Sequence, residues 1–347
     1  MIASVAAPQD PESRLPARGS FFRRMLVHNV FWVFAVNTIL IIVFTILSRN
    51  NTFFSPDNIR NLMADSATAL LLGIAIAFLL GAGEFDISLG ANLILSSVVA
   101  GKVSVALQNQ ELFVIVISSL SVAIVTGMIV GLFNGLVVTH LRVNSLIATL
   151  ASLGIFTGLA DIVSNGTDVT GIPQTLQDGF GLLRVVGMPV PFLVSIVLWV
   201  IAWLFLKYTR FGLHVLAMGS SRTAADRAGL KTGNKITRLF VVCGALAGVA
   251  GFLDITRFAA TNIAGHTQDS LAAITAAVIG GSLLAGGVVS IVGLLGGVIL
   301  AVILANGLIV IGVPSYYQLV VVGVILIIAV WLDQLKKTEK SIKMFAR

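Results

Sequence analysis

Charge is scarce in this chain. Asp, Glu, Lys and Arg make up only 11% of its 347 residues, against roughly 25% in a soluble domain. That excludes an ordinary water-facing globule. Cysteine is almost absent: the single Cys243 rules out an internal disulfide and, set in an apolar run, reads as a small packing residue. The four histidines (His28, His140, His214, His266) are scattered, with no second ligand at a useful spacing, which argues against a metal centre. No G-x-x-x-x-G-K-[ST] run occurs, and Gly101-Lys102 is followed by valine, so the chain cannot cradle and split ATP in that way. There is no G-x-S-x-G elbow either. The chain reads as a non-enzyme that binds no cofactor of its own.

What is present is hydrophobicity, at 57% of residues. A hydrocarbon core of about 30 Å needs about 20 helical residues to cross, and backbone groups in lipid must pair within their own segment. Ten apolar stretches of about that length predict an all-α polytopic membrane protein with about ten transmembrane helices: Val30–Leu47, Leu62–Ala82, Ile87–Leu107, Leu112–Thr139, Ser145–Val163, Met188–Leu206, Leu239–Ile255, Gln268–Leu284, Val288–Ile311 and Tyr316–Leu332. The eighth is the weakest, short and broken by glycine. The first run is too long for a secretory signal and has no small-residue cleavage site after it, so it reads as a retained span.

The net charge of +7 does not point to nucleic acid, because the basic residues sit at segment ends. With both termini cytoplasmic, 17 of the 22 Lys and Arg fall on the inner side, the bias expected of membrane topology. This divides the chain into a cytoplasmic tail over 1–28, a transmembrane domain over 29–333 with a cytoplasmic loop over 208–237, and a basic cytoplasmic tail over 334–347.

Acidic residues beside or inside spans are few: Asp65, Glu84, Asp86, Asp161, Asp254 and Asp269. Glu84 and Asp86 lie in GAGEFDISLGAN, a glycine-rich break between spans 2 and 3. Two readings stand. The break is a tight turn whose Asp86 caps the next helix, or broken helix ends line a polar path. Candidate path residues are Glu84, Asp86, Ser88, Asn134, Asn306 and Gln318. Asp254 and Arg257, three apart on a helix, are expected to pair. A second break, VIGGSLLAGGVVSIVGLLGG, reads as close helix packing. In the cytoplasmic loop, Ser220 is expected to cap a short helix over 221–228 that stops at Gly229 and exposes Ala224 and Ala225 among Arg222, Asp226 and Arg227. Such a helix suits a groove on a partner, although a basic stop-transfer loop would need only the charges.

Five stretches, in order, resemble the permease family of bacterial sugar-importing ABC transporters, the ribose-permease-like group. GEFDISLGA is similar to the family's G-G-I-D-L-S-V-G-A. The others are GLFNGLVVTHLRVNSLIATLASLGIFTGLA, YTRFGLHVLAMGSSRTAADRAGL, AAITAAVIGGSLLAGG and LANGLIVIGVPSYYQLVVVGVILIIAVWLD. The chain departs from the pattern at Glu84, where the second glycine is usual, at Phe85 for isoleucine, and at Asn144-Ser145, where prolines are frequent.

The resemblance implies a multi-pass protein of the bacterial inner membrane. It implies a second permease subunit, identical or related, a periplasmic substrate-binding protein, and a cytoplasmic ATP-binding subunit that holds the ATP. It places Ser220, Ser221, Arg222, Ala224, Ala225, Arg227, Gly229 and Leu230 against that subunit. The substrate class implied is a sugar or related polyol. The alternative is an ion-gradient-driven secondary carrier for a small polar solute, with Asp86 or Glu84 on the coupling ion.

Overall fold

The computed structural model describes residues 29–314 together with Tyr317, Val320, Gly323, Val324 and Ile327. The tail over 1–28, the tail over 334–347, Gln318 and most of the tenth expected span lie outside the described residues. Within them the chain forms eleven principal helices: α1 Asn29–Leu47, α2 Pro56–Gly81, α3 Leu89–Ala106, α4 Leu112–Thr139, α5 Ser145–Ser164, α6 Val190–Tyr208, α7 Arg210–Ser220, α8 Arg222–Arg227, α9 Thr232–Phe258, α10 Asp269–Ile279 and α11 Ile291–Val310. Eight of them (α1 to α6, α9 and α11) are long and apolar enough to cross a membrane.

Local sequence sets the ends. Ser55 accepts a hydrogen bond from the Asn58 N–H, Pro56 occupies the first turn, and Asp57 faces the helix dipole of α2. Asn144, Thr209 and Ser290 cap α5, α7 and α11 in the same way. Between α5 and α6, a helical turn at Gln174–Leu176, a π turn at Gln177–Gly181 and a two-stranded hairpin (Arg184–Val185 with Met188–Pro189) close one end of the bundle.

The eighth expected span is corrected by the structure. Gln268–Leu284 is not one crossing helix. α10 has eleven residues, about 16 Å of rise, half a hydrocarbon core. A non-helical stretch over 280–290 follows. Gly287 N–H donates to Gly81 O at the end of α2, so α10 and this stretch together return the chain to the end of the bundle where α9 starts. Discontinuous helices of this kind are a device of transporters.

Burial sorts the helices into two sets. Of the apolar window in α9, 78% is buried, and 72% in α3, against 17% in both α1 and α6. α2, α3 and α9 form the centre, while α1, α4, α5 and α6 present Ile46, Phe113, Ile129, Ile147 and Ile201 outward, as lipid contact demands. A long, tight seam joins α4 to α9. A Cβ on Gly127 would stand 2.2 Å from Gly244 O, and one on Gly244 would stand 2.2 Å from Gly127 O. Only glycine lets the two backbones approach so closely. Cys243, on the same helix and fully buried, packs against the Ala75 carbonyl.

Candidate functional site

The break between α2 and α3 is held by side chains from other helices. Phe85 N–H donates to Ser145 Oγ at 3.2 Å, Ile87 N–H to Thr149 Oγ1 at 3.1 Å, and Gly90 N–H to Ser270 Oγ at 2.8 Å. Buried backbone donors need such partners. Asp86 is 2% exposed. Its Oδ1 accepts from Ser88 N–H at 2.8 Å and Ser88 Oγ at 2.6 Å. Asn134 Nδ2 reaches across from α4 to Ser88 Oγ at 2.7 Å and Asp86 Oδ2 at 3.3 Å. Three expected path residues, Asp86, Ser88 and Asn134, therefore come together, and Glu84 stands apart from them.

Glu84 lines a cavity of about 1,000 Å³ bordered by Arg142, Asn144, Ser145, Arg222 and Asp226, whereas Asp86, Ser88 and Asn134 are buried and do not line it. The turn is real, but the capping expectation for Asp86 is corrected: Ser88 holds the cap position of α3 with no side-chain capping bond, and the Asp86 carboxylate instead fixes the turn two residues earlier. Asn306 lies elsewhere: on α11 it accepts from Asn58 Nδ2 at 2.9 Å, at the opposite end of α2. Replacing Asp86 with alanine should strip the acceptor from both Ser88 donors, at about 1–3 kcal/mol for each buried donor left unpaired. The expected result is a lower melting temperature and lost transport, with most of both restored by Asp86→Asn. Normal melting and normal transport in Asp86→Ala would contradict this role.

The loop helix is built differently from the expectation. Ser220 closes α7, donating to Leu216 O, and it is Ser221 that caps α8 by accepting from Ala224 N–H. Gly229, at φ +85°, ends it. Its N–H bonds Asp226 O while Leu230 N–H bonds Ala225 O, the paired bonds of a Schellman stop. Ala224, Arg222 and Arg227 are exposed, but Ala225 is corrected: it is 5% exposed and packs inward. Leu230 is half-buried against the same core.

This loop is tied to both glycine-rich breaks. A Cβ on Gly219 would stand 2.0 Å from Gly81 O and 2.5 Å from Gly287 N, so three chain segments meet with no side chain between them. Arg222 Nη1, at the start of α8, donates to Glu84 Oε1 at 3.0 Å. Burial raises the Glu84 carboxyl above its ordinary range, opposed by the Ser145 hydrogen bond and the Arg222 charge. The Arg222–Glu84 pair thus links α8 to the break that carries Asp86.

The expected Asp254–Arg257 pair does not form. Arg257 bonds Asp65 on α2 at 2.6 Å, and Asp254 faces His266 at 3.2 Å. His266 also meets Asp269 at 2.7 Å. Thr149 and Ser270 were not singled out from sequence, and Ser145 was marked only as standing where prolines are frequent. Hydroxyl residues within apolar runs carry no signal that distinguishes this use.

Residues 58–330 match the family described as "Branched-chain amino acid transport system / permease component". The chain is 30% identical over 302 residues to the ribose import permease protein of Escherichia coli, covering 86% of this chain and 92% of that one. It is 34% identical over 299 residues to the ribose import permease protein of Bacillus subtilis, covering 86% and 90%. It is 31% identical over 324 residues to the L-arabinose ABC transporter permease protein of Azospirillum brasilense, covering 93% and 92%. No solved structure matches the chain significantly.

Proposed function

We propose, from the premise that this chain belongs to the branched-chain amino acid transport system / permease component family, that it is the membrane-spanning subunit of an ATP-driven importer for a sugar or related polyol. It is a multi-pass protein of the inner membrane. One observation carries the reading: sugar import permeases align with nearly the whole chain. The ion-driven carrier loses its main support, because Asp86 spends its carboxylate on Ser88 and Asn134.

In this reading both termini face the cytoplasm. A cytoplasmic ATP-binding subunit grips α8, a periplasmic binding protein delivers substrate at the other end, and a second permease subunit completes the path. ATP stays on the partner. The wall of the 1,000 Å³ cavity, with α8 and its Arg222–Glu84 tie, is the inner face on which the ATP-binding subunit acts. Hydrolysis moves α8, and the Gly81–Gly219–Gly287 junction passes the movement to both discontinuous segments.

The purified chain alone should turn over no ATP. Hydrolysis should appear when its ATP-binding subunit is added and rise when sugar-loaded binding protein is supplied. A phosphate-release assay on the reconstituted parts reads this directly. Turnover by the lone chain, or turnover indifferent to the binding protein, would contradict the proposal.

A further inference from the structure

A second cavity, of about 280 Å³, lies between α2, α9, α10 and α11. Asp65 on its wall is sixteen residues before Gly81, about 24 Å along α2, so the cavity sits at the end of the bundle away from α8. None of the expected path residues lines it. Its size is at the lower edge of small-ligand pockets, about 300–1,000 Å³.

Its wall is rich in acceptors. Asp65, Asp254 and Asp269 face only two cations, Arg257 and His266. Arg257 is already committed: its Nη1 donates to Asp65 Oδ1 at 2.6 Å and its guanidinium lies 4.8 Å from the Phe258 ring centre. His266 is held between carboxylates. Burial alone would lower its imidazole, but Asp254 and Asp269 outweigh that and keep it up at about 10. It is therefore charged at neutral pH, and the group carries one net negative charge.

Asp254 is 3% exposed, and its Oδ2 and the His266 Nε2 that faces it both lack an aligned hydrogen-bond partner among the described residues. The 3.2 Å approach of His266 Nε2 supplies charge without hydrogen-bond alignment. A buried carboxylate oxygen and a buried imidazole N–H in that state suit a hydroxyl, which can donate to the one and accept from the other. Leu72 and Phe258 add apolar surface on the same wall.

We propose that this cavity is a binding site, one in each subunit, for a neutral polyhydroxylated ligand, a sugar or polyol. Its hydroxyls donate to Asp254 and Asp65, and its carbon face packs on Phe258. The proposal rests on the permease reading and adds a place for the substrate within a single chain. A free amino acid suits the wall less well, because its carboxylate would have to pull Arg257 off Asp65. A metal ion does not suit it: among the described residues no three carboxylate, imidazole or thiol groups converge to hold one.

Cysteine chemistry tests this on the full chain in nanodiscs. The native Cys243 is fully buried and gives little background. Ala272→Cys places an exposed thiol on the cavity wall, and Val186→Cys, at a position 91% exposed on the hairpin, is the control. Ribose, arabinose, galactose and ribitol are each added at about 100 mM, enough to fill a millimolar site, before a charged methanethiosulfonate. At least one should slow labelling at position 272 by about threefold or more, as expected at concentrations well above Kd, and leave position 186 unchanged. Asp254→Asn in the same background should remove the protection. Thr68→Cys, on the facing helix α2, reports the same site if Ala272→Cys does not fold. No protection by any of the four, equal slowing at both positions, or protection by leucine but not by sugars would overturn the proposal. Uptake by the assembled importer is measured in parallel. Normal uptake without protection sinks this site alone, whereas absent uptake sinks the permease reading.

Discussion

Ala224→Glu should abolish association with the ATP-binding subunit while the membrane domain stays folded. α8 is six residues long, too short to hold its shape alone. Its Ser221 cap, its Schellman stop at Gly229 and the anchors at Ala225 and Leu230 hold it in place. That leaves Ala224 on the outside, the one small apolar position between Arg222 and Arg227. A helix presented in this way docks through its small face, and a carboxylate there meets either a packed wall or a desolvated pocket. Losing one central anchor costs about 2 kcal/mol or more, roughly 30-fold in affinity. Ala225→Glu should behave differently. It buries a charge inside this subunit, so the expected first sign is a lower melting temperature. Copurification and thermal melting, measured on both variants, separate docking from folding. Copurification of Ala224→Glu at the wild-type level would refute the docking role of α8.

Gly244→Leu should remove folded protein from the membrane fraction altogether. At Gly244 a single added Cβ would already stand 2.2 Å from Gly127 O and 3.0 Å from the Gly131 Cα and N. None of these is the movable end of a side chain, so α4 and α9 must separate. Overpacking a close contact costs about 1–3 kcal/mol, occasionally more, and here it also opens the seam that Gly131 and Gly248 share. A protein only about 5–15 kcal/mol stable does not keep its peripheral helices through such a change. Gly154→Leu is the control, because nothing lies within 4 Å of a Cβ at that position. Size-exclusion profiles in detergent should show loss of the monodisperse species for Gly244→Leu alone. A normal profile for Gly244→Leu would mean that the α4–α9 seam is not what holds the bundle.

Eight of the ten expected spans coincide with long helices because lipid leaves the backbone so little choice. The fourth, Leu112–Thr139, matches to the residue. α10 escaped because an eleven-residue helix followed by an extended glycine-rich stretch has the apolar content of a full span, and hydropathy does not register the change of conformation. The polar cluster was half legible. Glu84, Asp86, Ser88 and Asn134 stand out by being polar where the chain is otherwise apolar, and the last three meet. Asn306 has the same signature yet bonds Asn58 far away, since composition carries no depth. That Ala225 faces inward was not legible, because adjacent alanines on a six-residue helix give no periodic signal. Arg257 took Asp65, 192 positions away, over its neighbour Asp254, a choice that only the packing of α2 against α9 decides. The glycines were legible as close packing. That Gly81, Gly219 and Gly287 meet at one point was not, because the three belong to separate segments.

The central claim is that this chain forms a passage driven from outside itself, and sugar uptake into proteoliposomes tests it most directly. Vesicles holding the chain with its ATP-binding subunit should accumulate the sugar carried by the soluble binding protein. Accumulation should need ATP and that protein, and should continue when the proton gradient is collapsed. Accumulation by the chain alone, driven by an ion gradient and indifferent to ATP, would contradict the account.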